Sequence, residues 1–259
     1  MLHVQQYRRA KACRSSLPRV CCSAMSKASN PRNPTGKKHR FNKPWMKEHV
    51  NDHWVQEAQR LGYRSRAAFK LTELAEKDKL LRPGMTVVDL GAAPGSWCQV
   101  LRQRLGASAR IVAVDLLPMD PVAGVRFIQG DFGDDAVLEA VVAELGGRKA
   151  ELVLSDLSPN ISGIEAADQA RGVHLAELAL DFAMRSLQPG GDLVVKAFQG
   201  EGFTEFQRLM QRHFDKVYVR KPKASRDRSR EVFLVGKRRV AVLPDGDNSG
   251  RLAPEGPKD

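Results

Sequence analysis

The sequence predicts an α/β domain: a mostly parallel sheet of seven strands with helices on both faces. Three observations lead there. From residue 86 onward, short apolar runs rich in Val, Leu and Ile alternate with longer stretches of helical character, the pattern of strand–helix–strand units. Acids stand where these runs end, at Asp89, Asp115, Asp131 and Asp156, the edge at which open α/β sheets bind ligands. At 259 residues and 42% hydrophobic content, the chain is long enough for one well-buried domain with tails.

Residues 1–44 are basic, polar and turn-rich (Asn30-Pro31-Arg32-Asn33-Pro34), and are expected to form a disordered arm. The folded domain is expected over 45–238, with ordered structure beginning near Trp45–Trp54. The Pro/Gly-rich segment 239–259 is expected to be a flexible tail. Ser65 opens a helix to about Asp78, with Ala67, Leu71 and Leu74 on one face. Pro83-Gly84 marks a turn. Strands follow at 86–90, 110–115, 125–129, 151–156 and 191–198, and helices at 96–105, 134–145, 166–187 and 203–214. Two closing strands, 216–221 and 230–236, joined by a charged link, predict a hairpin that ends the sheet antiparallel.

The formal charge is +12, which points to a polyanionic partner. It is unevenly placed. The first 50 residues carry twelve lysines and arginines against Glu48 alone, so the other 209 sum to about +1. The stretch Lys37 to Lys47 abuts the domain and is expected to contact nucleic acid. The cysteines, Cys13, Cys21, Cys22 and Cys98, lack zinc-type spacing, and a reduced intracellular protein is the simplest expectation. No apolar run approaches the ~20 residues needed to span a membrane. Residues 1–24 lack acids, which fits either a transit segment or an over-read frame whose true start is Met25; the second is preferred.

The turn after the first strand is Gly91-Ala92-Ala93-Pro94-Gly95-Ser96-Trp97. Ala93 stands where a dinucleotide fold needs its second glycine for the pyrophosphate. That departure disfavours NAD and favours a phosphate-free ligand, S-adenosylmethionine. Gly91 and Gly95 let the backbone bend and a ligand approach. Asp115 ends the second strand and fits the two ribose hydroxyls of a cofactor. Asp131 fits its adenine amino group, or caps a helix. Trp97 reads as core or as a wall of the cofactor pocket.

Asp156 and Lys196 each follow apolar runs at the carboxyl edge of the sheet. A lysine inside Val194-Val195-Lys196-Ala197-Phe198 has to be paired or shed its proton, because an unpaired buried ammonium is costly. A salt bridge that merely staples two strands is the alternative. Lys70 and Glu231 are further charges that spacing alone does not place beside Lys196.

From about Trp45 to Lys237 the chain resembles the FtsJ/RrmJ family of ribose 2′-O-methyltransferases. The resemblance rests on Ser65-Arg66-Ala67 with Phe69-Lys70-Leu71, on Asp89 to Gly95 with Trp97, on Asp115-Leu116-Leu117-Pro118-Met119-Asp120, on Ser155-Asp156 with Pro159-Asn160 and Ser162-Gly163, on Val194-Val195-Lys196 with Phe198 to Phe203, and on Ser229-Arg230-Glu231-Val232. Ser96 departs from the second glycine of many relatives, and the basic arm exceeds the usual family length. The resemblance implies a Rossmann-like class I S-adenosylmethionine-dependent methyltransferase fold. It implies a catalytic tetrad, Lys70, Asp156, Lys196 and Glu231, and cofactor contacts at Gly91, Gly95, Trp97, Asp115, Asp131 and Asp156.

The expected activity is methylation of a ribose 2′-OH, on a uridine of 23S ribosomal RNA within the large subunit, by a cytoplasmic monomer. Lys196 is the expected general base, oriented by Asp156, with Lys70 stabilising the alkoxide and Glu231 holding Lys70 or the ribose. Arg64, Arg66, Lys221, Lys223, Arg226, Arg228 and Arg230 are candidate phosphate contacts. The rivals are the same chemistry on transfer RNA or a messenger cap, and a non-catalytic RNA-binding assembly factor. A nicotinamide-dependent oxidoreductase is disfavoured by Ala93 and by the lack of a Tyr-x-x-x-Lys dyad.

Overall fold

The structure, a computed structural model, describes residues 52–226 and 228–241. The arm expected at 1–44 and most of the tail therefore lie outside the described residues. Strands and helices run in the order α1 (His53–Arg60), α2 (Ala67–Asp78), β1 (Thr86–Leu90), α3 (Ser96–Leu105), β2 (Arg110–Asp115), β3 (Val125–Gln129), α4 (Asp135–Glu144), β4 (Ala150–Ser155), α5 (Glu165–Ser186), β5 (Leu187–Phe198), α6 (Phe203–His213), β6 (Phe214–Arg220) and β7 (Glu231–Arg239). They build one seven-stranded sheet in the order β3-β2-β1-β4-β5-β7-β6. The first five in that order are parallel. β7 pairs antiparallel with both β5 and β6, so the closing hairpin inserts its second strand, not its first, against the parallel sheet.

Successive strand residues point to opposite faces, and two cores follow. Val88, Leu90, Val153, Val195 and Leu234 pack with Val141, Ala179 and Phe206 of α4, α5 and α6. Val87, Ile111, Leu154, Val194, Phe233 and Val235 pack with Leu71, Leu74, Trp97 and Leu101 of α2 and α3. Lys196 is in phase with Val194, and Glu231 with Phe233, so both belong to the α2/α3 face.

Three sequence expectations shift. On α2 the buried stripe is Ala68, Lys70, Leu71 and Leu74, with Ala67 only partly covered; a lysine sits inside the face that faces the core. β5 begins at Leu187 rather than 191, because its register against β4 jumps between Ala150 and Leu152, absorbing Pro189-Gly190-Gly191 as a bulge inside the strand. β7 runs to Arg239, and the Val240 amide donates to the His213 carbonyl, so the folded body extends past residue 238.

The strand order turns outward in both directions from β1 and β4. Chain connections from β1 lead one way across the sheet, and those from β4 lead the other. In open α/β sheets such a switch point is where the ligand crevice lies, here beyond the carboxyl ends of β1 and β4.

Candidate active site

Beyond those strand ends the structure gathers four charged side chains as two ion pairs. The Lys196 Nζ lies 3.0 Å from the Asp156 Oδ1 and donates to the Asp156 carbonyl oxygen at 2.8 Å. The Asp156 amide in turn donates to the Leu90 carbonyl at 2.9 Å, which ties this loop to the end of β1. The Lys70 Nζ donates to the Glu231 Oε1 at 2.5 Å and stands 5.6 Å from the centroid of the Phe233 ring. Lys196 faces Phe233 directly across the β5–β7 ladder, and Glu231 faces Phe198. Both lysines are almost wholly buried, at 8% and 7% exposure for Lys70 and Lys196.

Glu231 titrates below the ordinary carboxylate range. Burial pushes it up, but the Lys70 charge and hydrogen bond, then the Lys196 charge and a hydrogen bond from Ser225, outweigh burial. Glu231 therefore feels both lysines, which links the two pairs into one electrostatic unit. The Lys196–Asp156 pair joins the exit of β4 to β5 as a staple would, and the Lys70–Glu231 pair adds α2 and β7 at the same edge.

The second half of the crevice is built around the β1–α3 turn. Gly91 has φ +79°, and a Cβ there would lie 2.9 Å from the Leu157 amide nitrogen. Gly95 has φ +102°, and a Cβ there would lie 2.5 Å from the Arg64 guanidinium and 2.9 Å from the Met119 sulfur. The space each glycine leaves is thus filled by protein. The turn's amides are also spent internally: Gly91 and Ala92 donate to Val114, Gly95 to Ala92, and Ala93 to the Asp115 carboxylate at 2.9 Å.

Asp115 also accepts from the Leu117 amide at 2.8 Å. Its two oxygens hold the β1 and β2 exits in register while each keeps a further lone pair for a ligand diol. Asp131 accepts from the Gly133 amide at 2.9 Å and is exposed at the end of β3. Trp97 is not a pocket wall. Its side chain is 3% exposed, its indole donates to the Ala67 carbonyl at 2.7 Å, and its ring meets Phe233 at 5.8 Å between centroids. Its main-chain N–H stands in the first turn of α3, where helical amides lack intrahelical partners. Ser96 is buried, its hydroxyl 2.9 Å from that of Ser65, so it fastens α3 to the start of α2.

Three contributors escape a reading of spacing alone. Asp89 is fully buried, its Oδ1 without a partner and its Oδ2 accepting from the Cys98 thiol. Burial, relieved in part by that bond and reinforced by Asp156 and Asp115, raises its pKa to about 7. Burial likewise pushes the Cys98 thiol up. Arg64, one of the candidate phosphate contacts, donates to the carbonyls of Pro94, Asp120 and Pro121 at 2.9, 2.7 and 2.9 Å. It clamps the two loops that rim the crevice. Ser225 donates to the Glu231 Oε1 at 3.1 Å. The signal for Arg64 lay only in its closeness to the motif, since main-chain acceptors carry no sequence signature.

Of the other candidate phosphate contacts, Arg66 pairs with Asp52, Arg230 with Glu165, and Lys221 donates to the Ser229 carbonyl. Lys223, Arg226 and Arg228 line a cleft beside the tetrad.

The family model described as FtsJ-like methyltransferase matches residues 63–239. A protein of Azoarcus sp. (strain BH72), named ribosomal RNA large subunit methyltransferase E, is 60% identical over 200 residues, 77% of this chain and 98% of that one. A Nitrosomonas europaea protein of the same name is 53% identical, over 78% of this chain and 98% of its own. A crystal structure from Plasmodium falciparum, described as a ribosomal RNA methyltransferase, is 32% identical with a TM-score of 0.61, covering 69% of this chain and 99% of that one.

Proposed function

The chain belongs to the FtsJ-like methyltransferase family, and from that premise we propose that it methylates a ribose 2′-hydroxyl of ribosomal RNA with S-adenosylmethionine. The target is a uridine of 23S RNA in the large subunit, and the enzyme works in the cytoplasm as a monomer. The substrate follows the names of the relatives it matches along nearly their whole length. No described helix is long and apolar enough to cross a membrane.

The residues at the crevice fit the cofactor. The partnerless, buried Asp89 Oδ1 suits an ammonium, and the first-turn amides of α3, Trp97's among them, suit a carboxylate. Asp115 suits the ribose diol and Asp131 the adenine amino group, while the Gly91 and Gly95 backbone forms the floor. When bound, S-adenosylmethionine supplies a methyl carbon already activated by its sulfonium.

The protein has then to align the ribose oxygen and take its proton. Lys196 does the second. Its Nζ is held at a fixed point by the Asp156 carboxylate and carbonyl, so a lone pair exposed on proton loss has one orientation. Asp156 spans both halves, steering Lys196 while lying at the cofactor edge. Lys70, held in place by Glu231, is the electrophile for the developing alkoxide. A 2′-hydroxyl substrate restricts the enzyme to RNA.

The observation that carries this reading is a buried Lys–Asp pair beside a buried Lys–Glu pair at the switch point of the sheet. Its test is tritium transfer from labelled S-adenosylmethionine to undermodified large subunits or to bulk transfer RNA, with the labelled nucleotide mapped. Label on one uridine ribose of the large-subunit RNA, lost in Lys196→Ala, is the expected result. Label on transfer RNA alone, or cofactor binding without transfer to either, overturns it.

A further inference from the structure

A second cleft of about 370 Å³ opens next to the tetrad, lined by Asp52, Trp54, Arg66, Lys223, Ser225, Arg226 and Arg228. Its walls are built. On one side Asp52 caps α1, accepting from the Trp54 amide at 2.9 Å, and pairs with Arg66. The Trp54 ring rests on Phe69, 5.1 Å between centroids. On the other side the β6–β7 loop is anchored twice. The Lys223 amide donates to the Glu73 carboxylate on α2 at 2.8 Å, and the buried Ser225 hydroxyl donates to Glu231. Pro222, Ala224 and Ser225 are buried, so the loop presents Lys223, Arg226 and Arg228 from a fixed base.

Both walls lead into the tetrad. Arg66 precedes Lys70 by one helical turn, about 6 Å along the axis, and Ser225 touches the carboxylate that holds Lys70. We infer that this cleft is a subsite for the nucleotide adjoining the methylated one, with its base on the Trp54 ring and its phosphates on Lys223, Arg226 and Arg228. An indole beside a set of cations is the arrangement that holds unpaired nucleotides, since every base offers a π-face and every link a negative charge. An acidic peptide would use the cations and leave the indole idle. The inference rests on the ribose-methylation reading and deepens it: the subsite sets which stretch of RNA lies across Lys70 and Lys196.

The test uses the full chain and two readouts. One is the Michaelis constant for undermodified large subunits; the other is fluorescence anisotropy of a labelled pentauridylate. Trp54→Ala raises the first and weakens the second about tenfold, within the range of base–aromatic stacking, and Trp54→Phe recovers most of both. Lys223→Ala with Arg226→Ala lowers the salt slope of pentauridylate binding by about 1.4, at about 0.7 per phosphate contact. The dissociation constant of S-adenosylmethionine, measured by calorimetry, stays within twofold of wild type in all three, which also reports folding. Unchanged pentauridylate affinity in Trp54→Ala overturns the subsite. So does an equal loss of polyglutamate binding in that variant. A wild-type protein that transfers no methyl to RNA overturns the functional reading instead, and the anisotropy then judges the cleft alone.

Discussion

The two halves of the crevice use their polar groups in opposite ways. In the cofactor half, the glycines admit protein atoms, the turn amides are bonded internally, and the Asp115 carboxylate braces two strand exits. The polar groups there are consumed in building a rigid cradle. In the tetrad half, four charged side chains from four separate elements form two ion pairs, with the Asp156 carbonyl and the Ser225 hydroxyl as added partners. Rigidity comes from main chain on one side and paired charge from side chains on the other, with Asp156 at their junction, its amide bonded to Leu90 and its carboxylate beside Lys196.

The comparison breaks most sharply at Lys196. Lys196→Ala is expected to lower kcat by about 10³-fold, the scale of a lost general base, while S-adenosylmethionine binding by calorimetry stays within twofold. A mutant near wild-type rate removes Lys196 from the chemistry. Glu231→Ala tests whether the tetrad half is held together by charge. It leaves the buried Lys70 ammonium unpaired, so a stability loss of about 3–5 kcal/mol is expected in urea denaturation, and Lys70→Met on top recovers part of it.

Asp89 sharpens the comparison from the cradle side. Its folded pKa of about 7 lies above the unfolded value near 3.8. Between about pH 4 and 7 the folded state therefore holds a proton that the unfolded state has released. Stability falls as pH rises through that window and is level beyond it. Asp89→Asn is expected to gain stability over wild type across that window, by at most about 4 kcal/mol. A pH-independent difference between the two melting curves refutes the assignment. Added S-adenosylmethionine is expected to narrow the difference above pH 7, since its ammonium compensates the carboxylate.

The smallest effect belongs to the clamp. Arg64→Ala removes three hydrogen bonds to main-chain carbonyls and is expected to weaken cofactor binding about tenfold, close to the value of one charged hydrogen bond. A changed kcat at saturating cofactor instead places Arg64 in the chemistry.

The contiguous cradle was the more legible half. Strand ends, the Gly91–Trp97 turn and the acids Asp115 and Asp131 follow from local pattern, and the sequence-based limits of β1, α3, β2 and β3 match the structure to the residue. Bulges are less legible: Pro189-Gly190-Gly191 reads as a strand boundary because the same residues that end strands also permit bulges. Trp97 read equally as core or pocket wall, since an indole suits both until its N–H partner is known.

By itself, then, the chain determined the alternation of elements, the two faces of each strand, and the presence of a costly lysine in β5, because these depend on period and on neighbours within a few residues. Only the tertiary structure decided that Lys70 meets Glu231 across 161 positions, that Arg64 clamps two loops through their carbonyls, and that β7 lies between β5 and β6. Those outcomes depend on how the sheet is ordered, and pairing between distant segments is set by the fit of whole faces rather than by any local run of residues.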